Sequence, residues 1–170
     1  MEKQTIGGQN ENPVGKNNFS LRLSSVLNEA KKAFDDAVPS STKEKMFDLR
    51  TRPPLWMEIC KTLYMIPPAI PVGRDELIKA LGDSIGKNDI GYVELDFTLR
   101  QMELEGYLKI ERGSENYLLT KEAAKVVEVS QSFEEVVVPT MSKMVSAELR
   151  NQSVRNPDKY ARTIIYEAIK

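Results

Sequence analysis

Twenty-two residues, Leu99 to Thr120 (LRQMELEGYLKIERGSENYLLT), restrict the folds open to this chain of 170 residues more than any other stretch of it. Leu99 and Met102 lie three apart on one face of an amphipathic helix. Gly106 follows just past the last turn, where a left-handed residue ends a helix at little steric cost. YLKIERG then alternates apolar and polar residues as a half-buried strand does, SEN supplies a turn, and YLLT returns as a second strand. Thr120 stands at an N-cap position, with the helical pattern KEAAKVVEV directly behind it. The expectation is a helix that runs into a two-stranded hairpin and then into a packing helix.

The rest of the chain reads as helices around that segment. Residues 1–18, rich in Gly, Asn and Gln with little to bury, are read as a disordered tail. Leu23, Val26, Leu27, Ala30 and Phe34 recur at helical spacing, which predicts an amphipathic helix from Ser20 to Ala37. Pro39 to Thr42 break it, and KEKMFDLR is a short helical piece before Pro53 and Pro54. That prolyl pair opens the next helix, where Trp56, Ile59, Cys60, Leu63 and Tyr64 repeat at helical spacing. PPAIPV is a rigid connector in which Ile70 and Val72 can supply a short strand. Arg74 to Leu81 is a second helix with Leu77, Ile78 and Leu81 inward, and Ile90 to Glu105 a third, capped by Asn88 or Asp89. Beyond the hairpin, Lys121 to Val138 is helical up to Pro139. Met141 to Val154 and Asp158 to Lys170 form two more helices about the break at Asn156-Pro157, with Met144, Val145 and Leu149 on the first and Tyr160, Ile164, Ile165 and Ala168 on the second.

From roughly Pro53 to Val138, this order resembles the winged-helix family, in which a recognition helix runs into a two-stranded wing and then a packing helix. The resemblance implies a mostly α fold with a small β-wing (α+β), with a helical extension at 19–52, the winged-helix domain at 53–138 and a second extension at 139–170. It implies a DNA-binding transcriptional regulator whose third helix enters the major groove. Lys87, Asn88, Arg100, Lys109, Arg112, Asn116 and Arg155 are the candidate DNA contacts, and a homodimer through the terminal helices is expected.

Charge pulls the other way. The net charge of the chain is −1, but residues 53–140 carry nine cations against fifteen acids, while 1–52 and 141–170 are mildly basic. Between Asn88 and Tyr107 there are five acids and one base, which a phosphate backbone repels. The inward stripe of the third helix is Tyr92, Leu95, Leu99 and Met102, which leaves Val93, Phe97, Arg100 and Gln101 opposite, with Glu94 and Asp96 on the flanks. Val93 and Phe97 either pack beneath this chain's own terminal helices or, with Gln101, dock another protein. The alternative function is therefore a protein-interaction module within a larger assembly. Lys143, Arg150, Arg155, Lys159 and Arg162 form a C-terminal basic cluster that a solvated helix surface also explains.

Catalysis is not expected. The chain has no histidine and a single cysteine, so Cys/His zinc sites and His-dependent nucleophiles are missing, and GDSIGK lacks phosphate-loop spacing. No catalytic residue, metal ligand or cofactor is assigned. Cys60, inside LWMEICKTLYMI, reads as a buried, inert thiol. A polar N-terminus without a signal-peptide pattern, and no apolar run near the ~20 residues of a bilayer span, lead to the expectation of a cytoplasmic or nucleoid-associated protein without membrane contact.

Overall fold

A computed structural model describes residues 13–85 and 91–170, and within them every side chain except those at 13–20, 83–85 and 92. Its helices are α1 (Pro13–Ala37), α2 (Ser40–Thr51), α3 (Pro54–Met65), α4 (Arg74–Ile85), α5 (Tyr92–Leu104), α6 (Lys121–Ser132), α7 (Val138–Asn151) and α8 (Pro157–Ile169). The strands β1 (Leu108–Glu111) and β2 (Asn116–Leu119) lie between α5 and α6 and pair antiparallel, so the chain is mostly helical with one small sheet. It divides into two compact units, residues 35–137 and residues 1–34 with 138–170.

The unit 35–137 is organised around α3. Its apolar residues recur every three to four positions, so Leu55, Trp56, Ile59, Cys60 and Leu63 face inward, and α2, α4, α6 and β2 pack against them. Tyr64, expected on that stripe, lies one step off it and is 39% exposed. Leu77 and Leu81 of α4 are fully buried as expected, whereas Ile78 is only half-buried. On α5 the inward residues are Leu95, Leu99 and Met102, joined by Thr98. Val72 is buried and accepts a backbone hydrogen bond from Tyr117 N–H at 2.9 Å, so the proline-rich connector touches β2 at one point without forming a strand. Three prolines leave that connector few N–H donors for a ladder.

Sequence boundaries shift in several places; α4 runs past the expected end at Leu81 to Ile85, and α5 begins at Tyr92 instead of Ile90. The first helix begins at Pro13 instead of Ser20, which removes 13–18 from the expected tail; residues 1–12 lie outside the described residues. Helix α2 is longer than KEKMFDLR and belongs with 35–137: Met46 and Leu49 are buried, and Arg50 reaches Glu134 at 2.6 Å. Pro139 does not end a helix. A π-helical turn, Phe133–Val137, follows α6, and α7 continues directly from it at Val138, so Pro139 sits at the junction of the π-turn and α7.

In the other unit, α7 packs against α8. Val138, Met141, Val145 and Leu149 of α7 and Ala161, Ile165 and Ile169 of α8 are buried. Met144 and Tyr160, both expected on apolar faces, are 49% and 52% exposed, so each inward face is turned slightly from the sequence reading. Asn156 takes a left-handed conformation (φ +53°) immediately before Pro157; Asn tolerates that region better than most residues, and the prolyl ring disfavours the right-handed α region there.

Candidate functional site

Helix α5 is held at its C-terminus by contacts that the local sequence specifies. There Gly106 has φ +78°, and Gly106 and Tyr107 donate their N–H groups to the carbonyls of Glu103 (3.1 Å) and Met102 (2.8 Å). This is the paired-bond stop that glycine permits, with buried Tyr107 and Met102 as its apolar contact. Thr120 then joins two elements. Its hydroxyl donates to the Gly106 carbonyl at 2.8 Å and accepts from Ala123 N–H at 3.2 Å, so one side chain ties the end of α5 to the start of α6. At the N-terminus the cap is Gly91, without a side-chain bond, while Asn88 and Asp89 lie outside the described residues.

The hairpin pairs Leu108 with Leu119, Lys109 with Leu118, Ile110 with Tyr117 and Glu111 with Asn116. The turn is Arg112 to Glu115 in place of SEN, and left-handed conformations at Gly113 (φ +105°) and Glu115 (φ +50°) close it. Lys109 and Arg112 are exposed, but Glu111 and Glu115 balance them within the same hairpin.

The acids of α5 are partly neutralised from outside the helix. Arg74 of α4 clamps Asp96 through two parallel bonds of 2.8 and 2.9 Å, and Arg52 reaches Glu105 at 2.7 Å and Asp48 at 3.2 Å. Burial alone would lower the Arg52 pKa; hydrogen bonding and the negative charges of Asp48 and Glu105 outweigh it and raise the pKa. The bonds to Asp96 likewise raise Arg74. Arg52 also lies over the Trp56 ring (4.9 Å), and Trp56 meets Tyr107 edge-on at 5.7 Å, which packs this corner behind α5. Of the acids on the helix, Glu94 and Glu103 make no ion pair among the described residues, and neither does Arg100.

The outer face of α5 carries the most unusual arrangement in the unit. Val93 is 83% exposed, Phe97 64% and Leu104 79%. With Arg100 they are spaced four, three and four, so they form one ridge about 16 Å long on the side opposite Leu95, Leu99 and Met102. The burial expected of Val93 and Phe97 as core residues is therefore not found. Glu94 flanks the ridge on one side and Glu103 on the other, and Gln101 is half-buried beside it. Leu104 was not singled out from sequence, although its position eleven residues after Val93 puts it on the same line.

The remaining candidates are dispersed. Arg100 lines a polar groove with Arg74, Asp96, Glu115 and Tyr117, while Lys109 and Arg112 lie on the hairpin and Asn116 opens β2. Arg155 is exposed and belongs to the other unit; Lys87 and Asn88 lie outside the described residues. A second groove is apolar, walled by Leu63, Tyr64, Pro67, Ile70, Val72 and Leu119. Cys60 is fully buried and its thiol is pushed up to about 12 by desolvation, so it is not a nucleophile at neutral pH. Among the described residues, no three His, Cys, Asp or Glu side chains gather as a metal site would require, and no helix is long and apolar enough to cross a membrane. In comparisons with known proteins, the chain matches no family, and no curated protein or solved structure is significantly similar to it.

Proposed function

We propose that residues 35–137 are a winged-helix module that works by docking a protein on the outer face of α5. The order α3, α4, α5, β1, β2, α6 supports the winged-helix part of this reading, and so does the Val72–Tyr117 bond, which marks where a short first strand would pair. The docking part is carried by one observation: Val93, Phe97 and Leu104 hold three large apolar side chains in water along a single line of the helix. Burying one such side chain is worth roughly 1.5–3 kcal/mol, so a partner that covers the ridge gains from every position.

DNA binding is the second reading, favoured by Arg100, Lys109 and Arg112, which make no ion pair among the described residues and sit on α5 and the hairpin. Neutralisation of Asp96 and Glu105 by Arg74 and Arg52 also reduces the repulsion that the bare sequence implies. Against it, residues 35–137 hold thirteen cations and nineteen acids. Two variants separate the readings. Phe97→Asp should abolish assembly with the protein partner and leave duplex binding unchanged, while Arg112→Glu should leave assembly intact. A duplex shift in the wild type that Arg112→Glu removes, with assembly indifferent to Phe97→Asp, would establish the DNA reading instead.

A further inference from the structure

We propose that the outer edge of β2 receives a short extended segment of a partner protein, which pairs its main chain with Leu119 and seats an apolar side chain in the groove beside Ile70. This site is separate from the α5 ridge and does not depend on it.

Hydrogen bonding gives the first argument. Alternate residues of a strand direct their N–H and C=O groups to opposite sides. Thr120 N–H bonds the Tyr107 carbonyl at 3.0 Å, and Tyr117 N–H turns away from β1 to Val72 at 2.9 Å, so Leu118 faces β1 while Tyr117 and Leu119 face outward. Among these outward groups only the Tyr117 N–H is bonded. The Tyr117 carbonyl and both main-chain groups of Leu119 have no hydrogen bond among the described residues. The proline-rich connector does not complete the ladder, because Ile70 N–H turns back to the Pro67 carbonyl at 2.9 Å and Pro71 has no N–H to give. An open edge of this kind is a template for one more strand.

Shape gives the second. The apolar groove is lined by Tyr117, Leu118 and Leu119 of β2 and by no residue of β1, so it runs along the open edge. Leu63 and Ala124 also line it, together with the exposed Tyr64 and Ile70. Its volume of about 200 Å³ is below the ~300–1,000 Å³ of small-molecule sites and suits one or two aliphatic side chains. Main-chain groups that hold an extended segment, beside a pocket for its side chain, are the two parts of recognition by strand addition. Two segments of this chain fit the slot poorly. The β2 of a second copy turns into α6 two residues past Leu119, so it cannot run extended along its counterpart. Residues 1–12 hold only Met1 and Ile6 as large apolar side chains.

The test is amide NMR of the isotope-labelled full chain, titrated with a capped peptide of alternating valine and threonine. In the free chain the Leu119 amide should exchange rapidly with solvent; as the peptide saturates, it should move downfield and become protected. Methylating one alternate set of the peptide's amides should abolish the shift and methylating the other set should leave it, because only one set faces β2. Ile70→Lys and Ala124→Glu put a charge into the groove from positions outside the core, and each should weaken binding by at least about tenfold. An unchanged amide pattern away from the groove shows that both variants fold. No saturable Leu119 shift at millimolar peptide, equal behaviour of the two methylated peptides, or binding indifferent to Ile70→Lys would each overturn the proposal. Slow exchange of Leu119 in the free chain at every protein concentration means that this chain covers its own edge, and slowing with concentration means that a second copy does; either refutes the partner segment. Phe97→Asp should alter none of these readings, so failure here and failure of the ridge reading are told apart.

Discussion

The side chain that does most for its size is Thr120. Its hydroxyl is donor to the last turn of α5 and acceptor for the first turn of α6, so removing it orphans a carbonyl and an N–H together. Thr120→Ala should lower stability by about 1–2 kcal/mol in chemical denaturation, the range of a lost N-cap, and Thr120→Ser should recover most of it. The neighbouring Tyr107 gives the fold a pH limit. Burial first, and the Asp48 charge second, raise its hydroxyl above the ordinary tyrosine range, and the hydroxyl donates to Asp48 Oδ2 at 3.2 Å. The folded state therefore holds this proton more tightly than the unfolded chain does. Its stabilisation is complete below the unfolded value of about 10 and is lost as pH rises toward the folded one. Melting temperature should fall as pH rises above about 10 in the wild type, and more shallowly in Tyr107→Phe. Gly106, the capping role of Thr120 toward Ala123 and the alternation of YLKI were readable from sequence because each acts on backbone a few residues away; the Thr120 bond to Gly106, fourteen positions back, was not. The Arg74–Asp96 and Arg52–Glu105 pairs were not, since they join residues 22 and 53 positions apart.

At the scale of an element, α5 carries large apolar side chains on both faces, buried on one and exposed on the other. Of the inward stripe read from periodicity, Leu95, Leu99 and Met102 are buried, while the Tyr92 side chain lies outside those described. Periodicity also placed Val93 and Phe97 opposite, but it could not say whether anything covered them. A hydrophobic pattern reports which side chains share a face; burial depends on what the rest of the chain brings to that face. The same limit explains Pro139, which is a helix breaker by local rule but is accommodated because a π-helical turn precedes it. The two faces of α5 should respond to substitution in opposite ways. Leu95→Ala removes a fully packed side chain and should cost about 2–5 kcal/mol in denaturant titration. Phe97→Ala, at an exposed site, should change stability of the isolated chain by no more than about 0.5 kcal/mol. A loss near that of Leu95→Ala would mean that Phe97 is packed in solution, and the ridge would cease to be a docking surface.

Across the molecule, opposite charges are segregated between residues 35–137 and 138–170, and this sets how the chain meets a polyanion. Neutralising phosphates releases counterions, and log K falls against log salt with a slope of about −0.9 for each contact. On α5 and the hairpin, Arg100, Lys109 and Arg112 are the cations without an ion pair among the described residues. A groove-docked α5 would thus give a slope no steeper than about −2.7, and truncating any of the three should flatten it by about one unit. The docking reading makes a different forecast. Any duplex binding should be confined to low salt and indifferent to Arg100→Ala, Lys109→Ala and Arg112→Ala, because the contacts then come from residues 138–170. Lys143→Ala and Arg155→Ala should weaken it instead. Fluorescence anisotropy with one labelled duplex, titrated at several salt concentrations, separates the two patterns. Flattening of the slope by the α5 and hairpin variants would return this helix to the groove.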